Sequence, residues 1–337
     1  IDVASGRARV LAVHDRGYRS VVFADSGDRL VAGSVDGMIT LWQLDSGAVT
    51  RLAAGDYGEI AELWLSEGRL LARSTDQFLR GWDLSRSGTP LFAYRAPGPM
   101  AVSDDGLLAA FADGDTVSLV RLSGASPGDP TTGVLNRGRG YAPESADPSA
   151  AITLPAEVRF VRLTGRGRRL VAYDIEENLW VIDVASQKVT KLGSVSNQTP
   201  FPMAISPSGR WLATRGPSQT GQLWDLESGA TRLLYGHDSL IYTIAFAPDE
   251  SFVVTGGDDA SARIWRLDSS HTRVLRGHMD DVVGAVVAPG GQAVVSLSRD
   301  RSIRVWPTAS GSEIILSGVD ERLVAGRFVG DNEVVSA

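Results

Sequence analysis

The sequence predicts an all-β fold assembled from repeats of one four-stranded unit of about 40 residues. A short phrase returns at nearly constant spacing along the whole chain. Between its copies, short apolar runs rich in β-branched residues alternate with turns rich in Gly, Asp, Ser and Pro, which is typical of strands and hairpins. No segment shows a competing helical period.

The composition indicates a folded chain without disulfides. Hydrophobic residues make up 43% and charged residues 22% of the 337 residues, and cysteine is absent. The formal net charge of -7, without a long basic run, argues against nucleic acid as a partner. No apolar run approaches the roughly 20 residues of a membrane helix. We therefore expect neither nucleic acid nor membrane as a partner, and we expect a cytoplasmic location.

The repeated phrase comes near the end of each unit. It reads LWQLDSG at 41–47, GWDLSRSG at 81–88, LVRLSG at 119–124, VIDVAS at 181–186, LWDLESG at 223–229, IWRLDSS at 264–270 and VWPTASG at 305–311. IDVASG at 1–6 is a truncated first copy. The anchor positions are Ile1, Trp42, Trp82, Val120, Ile182, Trp224, Trp265 and Trp306. The steps between anchors measure 38 to 42 residues, apart from one step of 62.

The unit resembles the WD40 repeat of β-propellers, which carries Gly-His near its start and Trp-Asp near its end. Gly-His occurs at 236–237 and 277–278, and Trp-Asp occurs at 82–83 and 224–225. The resemblance covers essentially the whole chain. It implies a WD40-type β-propeller that forms a single domain over residues 1–337.

The resemblance also implies a hydrogen-bonded set inside a blade, made of a histidine, a hydroxyl residue, an aspartate and the tryptophan. The matching residues are His237, Thr255, Asp259 and Trp265; His278, Ser296, Asp300 and Trp306; and His14, Asp36 and Trp42, where Ala32 replaces the hydroxyl. Spacing supports the first two sets, because each histidine lies 28 residues before its tryptophan and each aspartate lies six before it.

The other units keep only part of the set. Asp76 with Trp82 lacks the histidine, and Thr214 with Trp224 lacks both histidine and aspartate. The units anchored at Val120 and Ile182 have lost the tryptophan, so we expect these blades to depend on apolar packing and to be softer.

Pairs of first and second strands predict eight blades. They fall near residues 19, 59, 98, 158, 201, 241, 282 and 323, and the closing blade would be shared by residues 1–13 and 320–337. The alternative is a seven-bladed propeller with fragments of a neighbouring propeller at each end. The long step predicts an insertion loop at about 124–155. If TTGVL at 131–135 is a fourth strand, the excess lies between blades; the loop is either without a role or a partner contact.

The resemblance implies that partners contact the loop-rich mouth of the ring. The matching positions lie three and five residues after the histidine position and one residue before the turn aspartate. They are Arg19, Tyr57, Glu59, Thr75, Glu157, Arg159, Phe201, Leu240, Tyr242, Asp258, Asp281, Arg299 and Arg322. Aromatic residues and arginine are typical interface anchors, so we predict a cluster of Tyr57, Phe201 and Tyr242 around the channel mouth.

The sequence predicts no catalytic residue, metal or cofactor. Three of the four histidines belong to the sets, and His271 is expected to be exposed. Asp258–Asp259 and Asp280–Asp281 could bind a metal in the central channel, as an enzyme of this fold would need, but turn aspartates that accept backbone hydrogen bonds are the favoured interpretation. The glycine-rich strings at 136–140 and 164–169 lack the strand-to-helix context of a phosphate loop.

These features favour a non-catalytic scaffold or ligand-sensing propeller in a larger signalling protein. Its partner would be a protein, a peptide or another domain of the same polypeptide. A channel-type hydrolase or lyase is the alternative. Because the chain begins inside a repeat, we expect a segment of a longer polypeptide. Its high use of Ala, Gly and Arg resembles proteins of GC-rich bacteria, in which STAND-type NTPases and serine/threonine kinases carry such arrays.

Overall fold

The computed structural model of the chain consists of antiparallel β-sheets joined by short turns. It describes residues 17–336 except for 24–27, 55–56, 67, 85–89, 97, 104, 123–149, 165–166, 195–200, 310–311, 318–325 and 330–332. The chain divides into two compact units at Gly193. Within the described residues, no helix is long and apolar enough to cross a membrane.

The first unit contains four blades, each a sheet of four antiparallel strands in chain order. Blades 1 and 2 consist of β1 (Tyr18–Phe23), β2 (Arg29–Ser34), β3 (Met38–Gln43), β4 (Val49–Ala54), β5 (Ile60–Ser66), β6 (Arg69–Ser74), β7 (Phe78–Asp83) and β8 (Phe92–Arg95). Blades 3 and 4 consist of β9 (Met100–Val102), β10 (Leu108–Asp113), β11 (Thr116–Arg121), β12 (Ala150–Thr153), β13 (Val158–Leu163), β14 (Arg169–Asp174), β15 (Asn178–Asp183) and β16 (Val189–Ser194).

The second unit contains three further blades and a two-stranded hairpin. Blades 5 and 6 consist of β17 (Met203–Ile205), β18 (Trp211–Arg215), β19 (Gly221–Asp225), β20 (Thr231–Leu234), β21 (Ile241–Phe246), β22 (Phe252–Gly257), β23 (Ser261–Arg266) and β24 (Thr272–Arg276). Blade 7 consists of β25 (Val282–Val287), β26 (Ala293–Ser298), β27 (Ser302–Pro307) and β28 (Ile314–Ser317), and the hairpin of β29 (Gly326–Val329) and β30 (Glu333–Ser336).

The hydrophobic core lies between successive blades. Every residue of β22 is buried, because this strand is flanked by two strands of its own sheet and its faces are covered by packing. Val254 and Ile264 of blade 6 share one buried cluster with Val282 and Ala285 of blade 7. Burial of each large aliphatic side chain contributes about 1.5–3 kcal/mol, so the apolar runs recognised in the sequence are the contacts that hold neighbouring blades together.

The first strand carries a β-bulge near its start in five blades. One residue is skipped in the pairing with the second strand, and the skipped residues are Arg19, Ala61, Arg159, Tyr242 and Val283. A bulge bends the strand locally and redirects the side chain of the extra residue. Three of these five residues belong to the predicted partner-binding face: Arg19, Arg159 and Tyr242.

The described residues form seven complete blades, which matches the seven-bladed alternative instead of the preferred count of eight. All eight predicted pairs of first and second strands are present, the last of them as β29 and β30. This hairpin is the whole of the eighth sheet in the described part of the chain. Residues 1–13, predicted to supply its other strands, lie outside the described residues.

The insertion falls inside blade 3. Its fourth strand is β12, which pairs with β11 through Val117 and Ile152 and places residues 150–153 in the sheet. The predicted insertion boundaries of 124–155 therefore extend too far. The fourth strand lies beyond the insertion, so TTGVL at 131–135, which is outside the described residues, is not needed to complete the blade.

Candidate functional site

A chain of hydrogen bonds crosses blade 6 from its entry loop to its third strand. His237 Nδ1 lies 2.8 Å from Asp259 Oδ2, and His237 Nε2 lies 2.7 Å from Thr255 Oγ1. Trp265 Nε1 donates to the same hydroxyl over 2.8 Å. Because an ionised carboxylate only accepts, Nδ1 carries the hydrogen in this network. The structure thus brings together all four side chains of this predicted set.

Blade 7 repeats the arrangement. His278 Nδ1 lies 2.9 Å from Asp300 Oδ2, and Nε2 lies 2.7 Å from Ser296 Oγ. Trp306 Nε1 donates to Ser296 Oγ over 2.8 Å. Ser302 adds a donor, since its hydroxyl donates to Asp300 Oδ1 over 2.7 Å.

The electrostatics of the two sets keep the carboxylates ionised. Burial raises the pKa of Asp259, but the hydrogen bonds from His237 and Ser261 outweigh it and hold that pKa well below the usual range. The pKa of Asp300 is likewise lowered, because hydrogen bonds from its neighbours outweigh burial. Burial lowers the pKa of His278, although its hydrogen bond to Asp300 opposes the shift. His278 is therefore neutral near pH 7, and its Nε2 accepts from the serine hydroxyl.

The glycine that precedes each histidine is required by close contact. Gly236 and Gly277 adopt φ values of 147° and 146°, which favour glycine. A Cβ atom on Gly236 would lie 2.5 Å from Arg263 Nη1, and one on Gly277 would lie 2.2 Å from Arg304 Nη1. The Gly-His dipeptide thus leaves room for an arginine from the third strand of the same blade.

The predicted set of blade 1 is described only in part. Ser34 donates a hydrogen bond from its hydroxyl to Asp36 in the turn after β2. Trp42 is buried and meets the Tyr18 ring edge to face, with 5.7 Å between ring centroids. His14 lies outside the described residues.

Blade 2 lacks the histidine, and an arginine binds its turn aspartate instead. Arg80 donates from Nη1 to Ser74 Oγ over 2.8 Å and to Asp76 Oδ1 over 3.0 Å. The guanidinium lies over the ring of Tyr57, 4.1 Å from its centroid, and that ring also contacts Trp82. Sequence analysis did not assign this role to Arg80. The matching arginines of blades 6 and 7, Arg263 and Arg304, lie in blades whose histidine already binds the turn aspartate, so the repeat pattern gave no reason to expect an arginine there.

Trp82 Nε1 is buried without a hydrogen-bond partner. The residue ten positions earlier is Ala72, whereas the tryptophans of blades 6 and 7 donate to Thr255 and Ser296 at this position. A buried donor left unpaired costs about 1–3 kcal/mol. Blade 2 therefore contains a local defect that one added oxygen atom would repair.

Blade 4 contains a tryptophan that the repeat analysis overlooked. Trp180 lies two residues before the anchor Ile182, and its Nε1 donates to Asp174 Oδ2 over 2.7 Å. Asn178 Nδ2 donates to the same oxygen over 3.0 Å, and Asn178 N donates to Oδ1 over 2.9 Å. Burial raises the pKa of Asp174, but these hydrogen bonds outweigh it and lower that pKa. The expectation that this blade has lost the tryptophan and depends on apolar packing alone was wrong, because Trp180 and Asp174 form the hydrogen bond at shifted positions of the same hairpin.

Blade 5 keeps two polar contacts. Trp224 Nε1 donates to Thr214 Oγ1 over 3.2 Å, and Arg210 Nη2 donates to Asp225 Oδ2 over 2.9 Å. Burial raises the pKa of Asp225, but hydrogen bonds from Arg210 and from the backbone of Glu227 outweigh it and lower that pKa to about 2. The aspartate of the Trp-Asp dipeptide thus fixes the turn between the third and fourth strands.

Four residues of the predicted partner-binding face meet between blades 6 and 7. Arg299 pairs with Asp281, and its guanidinium lies 5.6 Å from the ring centroid of Tyr242. Asp258 accepts a hydrogen bond over 2.8 Å from Ser239, and its pKa depends on the neighbouring Asp281. Burial and then Asp258 raise the pKa of Asp281, while the hydrogen bond from Asp281 lowers that of Asp258. The two carboxyl groups therefore influence each other's titration across the boundary between blades 6 and 7.

A second group lies between blades 1 and 2. Arg19 Nε lies 3.0 Å from Glu59 Oε1, and the backbone N–H of Glu59 donates to Thr75 Oγ1 over 3.0 Å. Arg19 and Thr75 are exposed. The structure thus places these three predicted residues in one chain of contacts.

The alignment of blade 2 differs from the prediction at the start of its first strand. Ile60 pairs with Ser74, whereas the matching pair in blade 6 is Ile241 with Gly257, so the first hairpin of blade 2 is two residues shorter. Counting back from the tryptophan anchor overlooks this difference. As a result, Tyr57 and Glu59 lie two residues before the positions assigned to them.

The other predicted face residues are scattered. Glu157 and Arg159 are exposed at the start of blade 4, and Leu240 is half-buried, with its carbonyl accepting from Asp258 N over 2.9 Å. Phe201 is half-buried, and Arg322 lies outside the described residues. Tyr57 belongs to the first unit, but Phe201 and Tyr242 belong to the second, so their cluster stays a prediction.

The described residues offer no candidate metal centre. No group of three or more His, Asp or Glu side chains in this part of the chain could hold a metal ion. Asp259 serves the buried set, and Asp281 pairs with Arg299. His271 is exposed, and its carbonyl accepts from Arg266 N over 3.1 Å.

Comparison with known protein families finds the repeat at three places. Residues 7–43, 229–266 and 269–307 match the family model described as WD domain, G-beta repeat. Each segment ends one residue after a tryptophan, at Trp42, Trp265 and Trp306 respectively. These tryptophans anchor the three units in which the sequence predicts histidine, aspartate and tryptophan together. No curated protein matches the chain.

Replacing the shared hydroxyl of blade 6 tests the importance of its hydrogen-bond chain. Thr255→Val keeps the shape of the side chain but leaves His237 Nε2 and Trp265 Nε1 without their partner. We expect the free energy of unfolding to fall by about 2 kcal/mol or more, measured by urea denaturation. Thr231→Val, at an exposed position of β20, is the control. Equal stability of the two variants would contradict the prediction.

Adding a hydroxyl to blade 2 tests whether the unpaired tryptophan is a defect. Ala72→Ser supplies an acceptor to Trp82 Nε1, so we expect the free energy of unfolding to rise by about 1 kcal/mol. Ala110→Ser is a matched control, because Ala110 is buried at the same position of blade 3, whose anchor Val120 has no donor. The control should lower stability. If both serines destabilise equally, the repair does not occur.

The low pKa of Asp225 predicts a pH dependence. With a folded-state pKa of about 2 against an ordinary 3.8, the contribution of Asp225 is complete above about pH 4 and is lost as the pH falls towards 2. Asp225→Asn should be less stable by about 1–2 kcal/mol at pH 7, and its stability should fall less steeply between pH 4 and pH 2. Denaturation at several pH values measures both effects, with the exposed Asp268→Asn as control. Parallel stability profiles for wild type and Asp225→Asn would refute the assignment.

Proposed function

We propose that this chain, which is a WD40-repeat β-propeller protein, acts as a non-catalytic scaffold that binds a protein or peptide. Propellers of this type are commonly interaction scaffolds, and their loops contact the partner. The proposal places the main contact on the loops between blades 6 and 7.

The observation that carries the proposal is the group formed by Tyr242, Asp258, Asp281 and Arg299. These side chains come from two blades and contact one another at the ends of the strands near the histidine loops. Tyrosine and arginine are enriched among the residues that dominate binding energy. A surface that unites them supports recognition of a protein or peptide.

The loop beside this group is held in a defined conformation. Met279 follows His278, and its backbone N–H donates to Asp300 Oδ2 over 2.9 Å. The Met279 side chain is nevertheless 89% exposed. Because the backbone of this loop is already ordered, binding through Met279 requires little further backbone ordering, which favours its use as an anchor. The buried set therefore supports binding indirectly, because it fixes the loop that presents Met279.

We extend the proposal to two finer roles that the resemblance implies: sensing a ligand, or contacting another domain of a cytoplasmic signalling protein. Both would use the same surface. The resemblance alone supports these roles, so identification of the partner is the first step of the test.

Substitutions at opposite ends of blade 6 test the proposed surface. The partner would be captured by cross-linking, identified by mass spectrometry and purified, and its affinity measured by calorimetry. We expect the double variant Asp258→Ala/Met279→Ala to weaken binding by about 30-fold, since two central contacts are lost. Asp268→Ala, an exposed aspartate in the turn at the other end of blade 6, should bind like wild type. Unchanged binding by the double variant would reject this surface.

A further inference from the structure

Two arginines on fourth strands reach the following blade. Arg232 in β20 donates from Nη1 to the carbonyl of Ser269 and from Nη2 to that of Arg266, each over 2.8 Å. Arg273 in β24 donates from Nη1 to the carbonyls of Pro307 over 2.6 Å and Ala309 over 2.8 Å. The acceptors lie where the third strand of the next blade ends and turns towards its fourth strand.

The two arginines occupy the same place in the repeat. Arg232 follows Trp224 by eight residues, and Arg273 follows Trp265 by eight residues. The same contact is therefore made twice in succession, from blade 5 to blade 6 and from blade 6 to blade 7. Such repetition argues against an incidental surface contact.

The chemistry suits a rigid link between blades. A guanidinium presents several N–H donors in a planar fork, so it can bind two carbonyl groups with a defined geometry. Hydrogen bonds from a charged donor are stronger than neutral ones. Arg232 and Arg273 are both partly buried, which reduces competition from water. Each link joins an arginine side chain to backbone carbonyl groups across a blade boundary, so it does not require a particular partner side chain.

The links are confined to part of the repeat array. In blades 1 and 2 the residues at this strand position are Thr50 and Phe92, which pair with Leu41 and Gly81 as Arg232 pairs with Leu223. Thr190 lies eight residues after the anchor of blade 4. None of the three carries a guanidinium. After the anchor of blade 7 the residue is Ile314, which is also unable to donate. In a repeat protein, stability is approximately a sum of terms for single repeats and for neighbouring interfaces. Strengthened interfaces therefore make a particular run of blades open together.

We propose that the interblade hydrogen bonds of Arg232 and Arg273 join blades 5, 6 and 7 into one cooperative folding unit. In this folding unit, blades 5, 6 and 7 unfold locally together. Blades 1 to 4 unfold separately, and their free energy of local unfolding is lower. The proposal is independent of whether the chain binds a partner, so failure of the proposed function would not affect it.

Hydrogen exchange followed by mass spectrometry tests whether these hydrogen bonds couple the blades. In the wild type, the slowest amides of blades 5, 6 and 7 should exchange at one common rate, slower than those of blades 2, 3 and 4. In Arg232→Met/Arg273→Met, which keeps the apolar stems and removes the donors, exchange in blades 5 to 7 should accelerate by about tenfold or more and differ from blade to blade. Arg276→Met, an exposed position on the same strand as Arg273, should behave like wild type.

Several outcomes would overturn the proposal. Different exchange rates for the slowest amides of blades 5, 6 and 7 in the wild type would show that they do not open together, and this measurement needs no variant. Unchanged exchange in the double variant would show that the arginines do not couple the blades. If the double variant does not fold, Arg273→Met alone should make the slowest amides of blade 7 exchange at a different rate from those of blade 6. An unaltered common rate in that variant would also reject the proposal.

Discussion

The polar architecture of blades 6 and 7 depends on one buried hydroxyl group in each blade. Thr255 and Ser296 each contact a tryptophan of the third strand and a histidine of the entry loop. The histidine in turn binds an ionised aspartate in the turn after the second strand, so a single oxygen atom links three separate parts of the blade. Because the histidine, hydroxyl, aspartate and tryptophan of each set bind one another, the set adds order without leaving its own buried polar atoms unpaired.

The other described blades show how the fold tolerates loss of this network. Blade 2 keeps the turn aspartate but binds it with Arg80, and blade 4 moves the tryptophan by two residues so that Trp180 reaches Asp174. Both solutions supply a donor to a buried or half-buried carboxylate. The requirement is therefore chemical and not positional: a carboxylate near the turn must be satisfied, and several side chains can satisfy it.

Much of the fold could be predicted from the sequence because the tryptophan anchors record the repeat length directly. All eight pairs of first and second strands were identified, and the spacing of His237, Thr255, Asp259 and Trp265 predicted residues that lie in contact. The contacts made by Arg80 and Trp180 were missed because the position of each residue in the sequence suggested a different role. Arg80 has the pattern of an ordinary strand residue, and Trp180 does not lie at the anchor position.

Local changes in length caused the remaining errors. The first hairpin of blade 2 is two residues shorter than that of blade 6, which displaced Tyr57 and Glu59, and the fourth strand of blade 3 lies beyond a long insertion. Periodicity measured at one anchor cannot locate a deletion or insertion within the unit. The group of Tyr242, Asp258, Asp281 and Arg299 was harder still to predict, because its side chains are brought together by contacts between blades.

The β-bulges of the first strands make the identity of one side chain in each strand independent of the pairing of the hairpin. At the bulge, one residue is omitted from the ladder and the register shifts by one residue before pairing continues, as between Ile241 and Thr243 on either side of Tyr242. The omitted positions hold an arginine, an alanine, an arginine, a tyrosine and a valine in five blades, yet all five hairpins form. A side chain outside the ladder is free of the alternation that governs its neighbours. Selection can therefore change the side chains at these positions while leaving the packed interior untouched.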